Sequence, residues 1–385
     1  MQYRELGKTG FKASLLGLGC MRLPYIDRDD MSKGVNLEEA YELIRYAVDN
    51  GVNYFDSAQG YHGGESETIL GAALDHNNMR EKVWITTKHP FRPDITPDEI
   101  KQNLESTLKK LRTTYLDTWL IHGIGPGNWE GIQEKKIMSI YEDFKAQGLI
   151  KHIGFSYHGN FDHFKEVVTH YPWDLILGMH NILDQKREVT AEGIKIAANH
   201  GIAMAVMEPL RGGGLAHAPK VVQEIYDSFP VKRTPAEWAF RYLANMPGVS
   251  TIISGMSNME QLKENIAIFS QPDMIPGHLT PEEEQLIISA RQAYESIITI
   301  PCTACNYCIP CPQNVGISTV FTQYNDGHRF GFFDQARRSY MFLSRPGRGV
   351  DKCTDCGVCV PKCPHGIDIP AQLKIAHERL KGWNG

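Results

Sequence analysis

The stretch Asn53-Tyr54-Phe55-Asp56-Ser57-Ala58-Gln59-Gly60-Tyr61 opens with a short apolar run, and short apolar runs recur along the chain. Such runs, each followed by an amphipathic segment, predict alternating strands and helices around a parallel sheet. Eight runs of this kind are Leu15–Gly19, Asn53–Ser57, Val83–Lys88, Thr118–His122, Ile153–Ser156, Leu175–Met179, Ile202–Met207 and Ser250–Gly255. Eight βα units within about 300 residues predict an α/β fold of the (β/α)8 TIM-barrel type.

Two further signals support the predicted barrel. Thr-Pro-x-Glu begins at Thr96, Thr234 and Thr280, and each copy predicts a helix start, because Thr caps the helix, Pro fits its first position and Glu completes a capping box. Tyr3–Leu6 and Phe11–Ser14 flank Gly7-Lys8-Thr9-Gly10. This arrangement predicts a hairpin that closes the bottom of the barrel.

The composition limits the class of protein. The 385 residues are 42% hydrophobic, and 40 Lys and Arg stand against 45 Asp and Glu, for a net charge of -5. A disordered chain is excluded, and nothing in this charge balance favours nucleic acid or an anionic membrane as a partner. Met1–Glu5 do not begin a signal peptide and no apolar run reaches transmembrane length, so we expect a cytoplasmic protein without a membrane partner.

Polar residues end several predicted strands, at the face where barrels of this type carry their chemistry. Asp56 ends one strand, Tyr61 follows it by five residues, and Lys88 and His122 end the next two strands. Buried charges at such positions are costly unless they pair or meet a ligand. In residue type, order and strand placement, these four are similar to the catalytic Asp, Tyr, Lys and His of the aldo-keto reductases.

Two other stretches resemble the same family, namely Arg4-Glu5-Leu6-Gly7-Lys8-Thr9-Gly10 and Gly17-Leu18-Gly19. The resemblance covers the first three quarters of the chain. It implies an NAD(P)-dependent oxidoreductase that reduces a small-molecule carbonyl to an alcohol, with Tyr61 as general acid. A tyrosine with a pKa near ~10 is a poor proton donor at neutral pH. We expect Lys88 to lower the pKa of Tyr61, Asp56 to hold Lys88, and His122 to donate to the carbonyl oxygen.

The resemblance also implies a set of cofactor-binding residues. Ser156 and Asn181 would hold the nicotinamide carboxamide, and the loop Arg211–Leu215 would cover the pyrophosphate through close backbone approach at its glycines. The residues that match the family's cofactor positions are Ser156, Asn181, Met207, Glu208, Leu210, Gly212, Gly214, Ser254, Gly255, Ser257, Gln261 and Asn265.

The cofactor positions also depart from the family pattern. Leu177 stands where the family usually has Gln, and Met207 stands where an aromatic ring normally stacks on the nicotinamide. Ser257 and Gln261 replace the basic residues that usually bind the 2'-phosphate of NADP. The resemblance favours NADP, which members of the family commonly bind, but the choice between NADP and NAD stays open.

Cysteines mark a second part of the chain. Of nine cysteines, Cys20 stands alone, and the others form Cys302-x2-Cys305-x2-Cys308-x2-Cys311-Pro312 and Cys353-x2-Cys356-x2-Cys359-x3-Cys363-Pro364. The second copy has the bacterial ferredoxin spacing. A zinc site would leave the third cysteine of each run unused, and disulfides do not suit a cytosolic chain, so both are less favoured.

We therefore assign residues 1–295 to the barrel and residues 296–385 to a mainly helical domain that resembles a ferredoxin with two [4Fe-4S] clusters. The ferredoxin pattern implies crossed ligation. One cluster would take Cys302, Cys305, Cys308 and Cys363, and the other would take Cys311, Cys353, Cys356 and Cys359.

Three functional hypotheses follow. The first is a carbonyl reductase whose clusters are structural or redox-sensing. The second is an electron-transfer protein whose clusters connect a ferredoxin-like redox partner to the barrel, with weak or absent nicotinamide chemistry. The third is an electron-carrier subunit with the barrel as a scaffold. The complete catalytic set favours the first two. A flavin at the barrel mouth, mediating between hydride and single-electron transfer, stays an open alternative.

Overall fold

A computed structural model describes residues 1–27 and 30–381 of the chain. The contacts form two compact units, one made of Met1–Gly212 and Glu237–Pro281 and the other of Gly213–Ala236 and the chain from Glu282 onward. The predicted boundary at residue 295 lies shortly before the cysteine motifs, which begin at Cys302. The second unit also includes two helical segments that precede this boundary, namely Gly213–Ala236 and the segment that begins at Glu282.

The first unit begins with an antiparallel hairpin of strands β1 (Tyr3–Glu5) and β2 (Lys12–Ser14). Gly7 in the turn has a φ of 56°, and a Cβ there would lie 2.6 Å from the backbone nitrogen of Ala203, which begins a barrel strand. Only glycine fits this close approach without strain. The hairpin therefore closes the N-terminal end of the barrel, as the sequence predicts.

Eight parallel strands close the predicted barrel in the order β10-β3-β4-β5-β6-β7-β8-β9, and this fold is confirmed. The strands are β3 (Leu16–Gly19), β4 (Tyr54–Asp56), β5 (Trp84–Pro90), β6 (Leu116–Ile124), β7 (Ile150–Tyr157), β8 (Leu175–Met179), β9 (Ala203–Met207) and β10 (Thr251–Ser254).

Helices follow the strands. Those of the barrel region are α1 (Leu37–Asp49), α2 (Ser66–Leu74), α3 (Pro97–Lys110), α4 (Trp129–Glu134), α5 (Ile137–Ala146), α6 (Phe161–His170), α7 (Thr190–Asn199), α9 (Pro235–Ala244) and α10 (Met259–Phe269). In α3 the predicted capping box is present, because the Thr96 side chain accepts from the Glu99 backbone and the Glu99 side chain accepts from the Thr96 backbone.

The barrel interior is apolar below its mouth. Leu177 is buried there beside Tyr54 and Trp84, and Met207 packs against the same cluster. Leu177 and Met207, the two residues that depart from the family pattern, thus contribute to the apolar packing inside the barrel. Burial of apolar side chains there is favourable.

The second unit contains the helices α8 (Lys220–Ser228), α11 (Pro281–Ser296), α12 (Ile317–Phe330), α13 (Phe333–Leu343) and α14 (Ile369–Leu380). Residues from α12, α13 and α14, including Phe321, Tyr340 and Leu373, form its apolar core, and six of the motif cysteines pack against that core. Among the described residues, no helix has both the length and the apolar character that a membrane span requires.

Candidate active site

Lys88 stands at the centre of the predicted catalytic set. Its Nζ donates to Asp56 Oδ1 at 2.6 Å, to the Ser57 carbonyl at 2.7 Å and to the Tyr61 hydroxyl at 3.2 Å. Lys88 and Asp56 are 1% and 4% exposed. One ammonium group therefore joins the buried carboxylate to the phenol.

The neighbouring strands β4, β5 and β6 bring these residues to one mouth. Asp56 ends β4, Lys88 lies in β5 and His122 lies in β6, where it is paired with Pro90. Tyr61 begins a tight 3-10 turn after β4, in which His62 adopts a φ of 51°. The turn returns the Tyr61 ring to within 4.7 Å of Lys88 Nζ.

His122 completes the set beside Tyr61. The two ring centroids lie 6.3 Å apart in an edge-to-face arrangement. Burial, followed by the electrostatic influence of Lys88, His158 and His89, lowers the pKa of His122 to about 3. The imidazole is therefore neutral at physiological pH, so that it would act as a hydrogen-bond donor through a ring N–H without carrying charge.

The pKa of Tyr61 differs from the sequence-based expectation. Burial raises it, Lys88 lowers it, and the negative charges of Asp56 and Glu208 raise it again, so that the net pKa lies above the ordinary 10.0. Lys88 lowers the pKa of Tyr61 as expected, but burial raises this pKa by more. Tyr61 therefore keeps its proton throughout the neutral range.

Lys88 also stays charged in its buried position. Burial alone would lower its pKa, but the negative charge of Asp56, the electrostatic influence of Tyr61 and the hydrogen bonds to both groups raise the pKa of Lys88 above 10.5. Asp56 Oδ1 accepts a hydrogen bond from Lys88, whereas no group in the described part of the chain donates to the buried Oδ2 atom of Asp56.

The residues predicted to hold a nicotinamide carboxamide are already engaged. Ser156 Oγ accepts from the backbone N–H of Gly123 at 2.7 Å, which puts it beside His122. Asn181 Nδ2 donates to Asp184 Oδ2 at 2.9 Å and to the Glu208 carbonyl at 3.2 Å. Its Oδ1 accepts from the backbone of Leu183 and Asp184. An amide offers two donors and two acceptor positions, so Asn181 would have to exchange a protein partner to bind a ligand.

The residues after β9 divide between the two units. Glu208, Leu210 and Gly212 belong to the barrel unit, whereas Gly214 belongs to the second unit. A Cβ on Gly214 would lie 2.8 Å from the ring of Phe330 in α12. This face of the glycine-rich loop is therefore covered by an aromatic side chain. The sequence offers no signal for this contact, because Phe330 lies more than a hundred residues further along the chain.

The segment after β10 contains the predicted residues for the adenine end. Asn265 Nδ2 donates to Ser254 Oγ at 3.1 Å, and Gln261 Oε1 accepts from the Ser257 backbone at 2.9 Å. A Cβ on Gly255 would lie 3.1 Å from Cδ of Arg22.

Arg22 is a residue that the sequence analysis missed. It is exposed, and it puts a cation beside Gly255, shortly before the N-terminus of the eleven-residue helix α10. A cation and a helix N-terminus both favour an anionic phosphate, so this part of the barrel fits a dinucleotide. The available signal was its position three residues after Gly19, at the end of a predicted strand.

In the second unit, the cysteines form two neighbouring sets. Cys302, Cys305, Cys308 and Cys363 line one small cavity. Burial raises the pKa of Cys359, and so do Cys311, Cys353 and Cys356, so each of these three cysteines lies near Cys359. Both groups have the composition that the crossed ferredoxin pattern implies.

The two cysteine loops also share a backbone conformation. Ala304 and Asp355, each two residues after the first cysteine of its motif, have φ of 56° and 54°. Asn306 and Gly357, each following the second cysteine, have φ of 66° and 71°. The sequence repeat is therefore a structural repeat.

The donor chemistry of these sets fits two [4Fe-4S] clusters. Among residues 1–27 and 30–381, no three His, Cys, Asp or Glu side chains converge closely enough to hold a single metal ion. A cluster with four irons binds each thiolate through a different iron, so its four ligands need not converge on one point.

Comparisons with known proteins identify two families in the chain. The aldo/keto reductase family matches residues 15–274, and a 4Fe-4S dicluster domain matches residues 301–367. A relative from Bacillus subtilis (strain 168), the uncharacterized oxidoreductase YqkF, is 27% identical over 69% of this chain and 90% of its own. The NADH-specific methylglyoxal reductase of Escherichia coli (strain K12) is 24% identical over 69% of this chain and 93% of its own.

A solved structure shares the barrel. The holo form of aldo-keto reductase AKR11C1 from Bacillus halodurans is similar with a TM-score of 0.61 and 26% identity, over 75% of this chain and 96% of that one. The family match spans more than half of the chain and includes all eight barrel strands. The chain therefore belongs to the aldo/keto reductase family and carries a C-terminal 4Fe-4S dicluster domain.

Proposed function

We propose that the barrel is an NAD(P)-dependent carbonyl reductase, in which Tyr61 supplies the proton that converts the carbonyl oxygen to a hydroxyl. The observation that carries this proposal is the contact of one buried ammonium, Lys88 Nζ, with both Asp56 and the Tyr61 hydroxyl. A bound reduced nicotinamide dinucleotide would supply a hydride to the carbonyl carbon. Arg22 and Ser254–Asn265 would hold its phosphate and adenine end, with Ser156 and Asn181 nearer the ring.

Three further residues would assist the reaction, each in a different role. His122, neutral and beside Tyr61, would donate an N–H to the carbonyl oxygen and orient it. As the new C–H bond forms, the oxygen gains negative charge and takes the proton of the Tyr61 hydroxyl. Lys88 would stabilise the resulting tyrosinate by its charge, and Asp56 would hold Lys88 in place. A proton from solvent then restores Tyr61.

The pH dependence tests this assignment. Because the pKa of Tyr61 is raised, reduction should be nearly constant through the neutral range and should fall only above about pH 10, where the phenol loses its proton. Oxidation of the alcohol needs the tyrosinate and should rise over the same range. Initial rates of both directions, measured with NADH and with NADPH, check this. A reduction rate that is lost with a midpoint near neutral pH would contradict Tyr61 as the acid.

A second candidate is electron transfer between a redox protein partner and the barrel through the clusters. Two observations favour it: all hydrogen-bonding positions of Asn181 are satisfied within the protein, and Cys305 and Cys356 are exposed in the second unit. An exposed cluster ligand suits electron exchange with a partner. In this case nicotinamide chemistry would be weak.

The crossed ligation that the ferredoxin pattern implies can be tested with pairs of cysteine variants. The anaerobically purified protein should contain about eight irons per chain. Cys302→Ser with Cys363→Ser should remove one cluster and leave about four irons, whereas Cys302→Ser with Cys359→Ser should remove both. Iron analysis and low-temperature electron paramagnetic resonance provide the readout. Cys20→Ala is the control and should keep the full iron content. If the first pair lost both clusters, the ligation would not be crossed.

A further inference from the structure

Asp355 distinguishes the two cysteine loops, which otherwise share a backbone conformation. In the sequence repeat it corresponds to Ala304, and the two residues have φ of 54° and 56°. Aspartate is one of the few residues with a side chain that adopt this left-handed region readily. Ala304 carries only a methyl group, so the two loops differ by one negative charge at an equivalent point.

The carboxylate of Asp355 lies beside a proposed cluster ligand. Its Oδ1 atom is 3.8 Å from Sγ of Cys353. In the crossed arrangement this cysteine would share a cluster, hereafter the Cys353 cluster, with Cys311, Cys356 and Cys359. Reduction adds an electron to a cluster, so a nearby negative charge opposes reduction and lowers the reduction potential.

Lys374 offsets part of this negative charge. It lies within α14, and its Nζ donates to Asp355 Oδ2. The carboxylate therefore has the sulfur of Cys353 next to one oxygen and an ammonium group next to the other. Both charged side chains are exposed, so water weakens this ion pair. The neighbouring Leu373 is buried in the core of the second unit, and this packing holds the backbone that carries Lys374.

Two other charges flank Cys353 and compensate each other. Lys352 and Asp351 directly precede this cysteine and form an ion pair at 3.4 Å. Opposite charges at such a short separation largely cancel in their effect on a third charge further away. We therefore assign the electrostatic effect on the Cys353 cluster to Asp355 and Lys374, which single substitutions can isolate.

We propose that Asp355 lowers the reduction potential of the Cys353 cluster and that Lys374 limits this effect. The proposal goes beyond the reductase activity of the barrel and rests on the crossed ligation of two [4Fe-4S] clusters. Because Ala304 occupies the equivalent point of the other loop, this adjustment acts mainly on one cluster. It contributes to the difference in potential that gives electrons a preferred direction between the two clusters.

Three substitutions test the proposal in the full-length protein, purified anaerobically with its clusters. Asp355→Asn keeps the shape and removes the charge. It should favour reduction of the Cys353 cluster by about tenfold in the equilibrium constant, which raises the potential of a one-electron couple by about 59 mV. Lys374→Met should shift the same potential in the opposite direction, whereas Lys374→Arg keeps the charge and should keep the potential. Redox titration followed by low-temperature electron paramagnetic resonance gives the two cluster potentials.

A mirror variant identifies which potential belongs to which cluster. Ala304→Asp introduces a carboxylate at the equivalent point of the first loop, where φ already has the value that Asp355 adopts. It should lower the potential of the other cluster and leave that of the Cys353 cluster nearly unchanged. If Ala304→Asp and Asp355→Asn moved the same one of the two potentials, the assignment to separate clusters would be wrong.

Lys381→Met is the control for a change of net charge. Lys381 directly follows α14 and pairs with Glu378. It lies seven residues beyond Lys374, which is about 10 Å along a helix and exceeds the Debye length of about 8 Å at physiological ionic strength. Both cluster potentials should therefore stay at their wild-type values in this variant.

Iron analysis separates the possible failures. If Asp355→Asn and Lys374→Met kept about eight irons but moved neither potential, or moved one in the same direction, the proposed effect of the charge pair would be wrong. Loss of iron from Asp355→Asn would assign Asp355 a role in cluster assembly and overturn the proposal. If the wild type bound no clusters, the ligation itself would be refuted, and this proposal with it.

Discussion

Replacing Tyr61 by Phe is expected to slow carbonyl reduction by about a hundredfold to ten-thousandfold, the range that general acid catalysis contributes. The variant loses the hydroxyl that Lys88 contacts at 3.2 Å, but the ring, the Lys88–Asp56 pair and His122 remain. Folding and iron content should therefore not change. Steady-state rates with NADH and NADPH provide the measurement, and the cluster absorbance serves as an internal check of folding.

Tyr25→Phe is the matched control for this variant. Tyr25 lies close to the same turn, with its ring centroid 5.0 Å from that of His62, but its hydroxyl has no part in the proposed chemistry. It should retain wild-type rates. If Tyr61→Phe also retained them, the proton would come from elsewhere and the assignment of Tyr61 would be wrong.

Replacing Lys88 by Met is expected to impair both stability and activity. Lys88 is the only ion-pair partner that the described residues provide for Asp56, so its removal leaves a buried carboxylate without a cation. Removing one member of a buried pair costs about 3–5 kcal/mol. With about 2–4 °C for each kcal/mol in a domain of this size, the thermal midpoint should fall by roughly 10 °C. Reduction should fall by at least about a hundredfold, because Tyr61 loses the charge that stabilises its anion.

The stability loss of Lys88→Met should depend on pH. Without Lys88, burial raises the pKa of Asp56 in the folded state above its unfolded value of about 3.9. Protonated Asp56 is then favoured by folding, so the variant is least destabilised at acidic pH and loses stability as the pH rises through the folded pKa. Adding Asp56→Asn removes the charge and should restore the midpoint, but not the activity. If the double variant were as unstable as Lys88→Met, the ion-pair explanation would be wrong.

Much of the barrel follows from local sequence signals. Short apolar runs located all eight strands to within two or three residues at each end, and Thr96-Pro97 located the start of α3. These signals are reliable because a strand buried on both faces must be apolar along its length. The order of the catalytic candidates and their placement at strand ends likewise predicted that they would meet at the barrel mouth. These residues are Asp56, Tyr61, Lys88 and His122.

Other properties of the site depend on contacts between distant segments. The pKa of Tyr61 is set by how deeply its turn is buried, which outweighs the nearby Lys88. Asn181 donates to the carbonyl of Glu208, which lies 27 residues further along the chain. Arg22 comes close to Gly255 only because β3 and β10 are neighbours in the closed barrel. None of these contacts has a sequence spacing that would predict it.

In the proposed reaction the hydride passes directly from the nicotinamide to the carbonyl carbon while Tyr61 provides the proton. Reduction of a carbonyl compound in ordinary water with NADH or NADPH that carries deuterium at both C4 positions tests it most directly. Mass spectrometry of the alcohol should show one deuterium on the carbinol carbon in nearly every product molecule. A product whose carbinol hydrogen came from water would contradict the claim, because electrons that pass singly through the clusters would leave the carbon to be protonated by solvent.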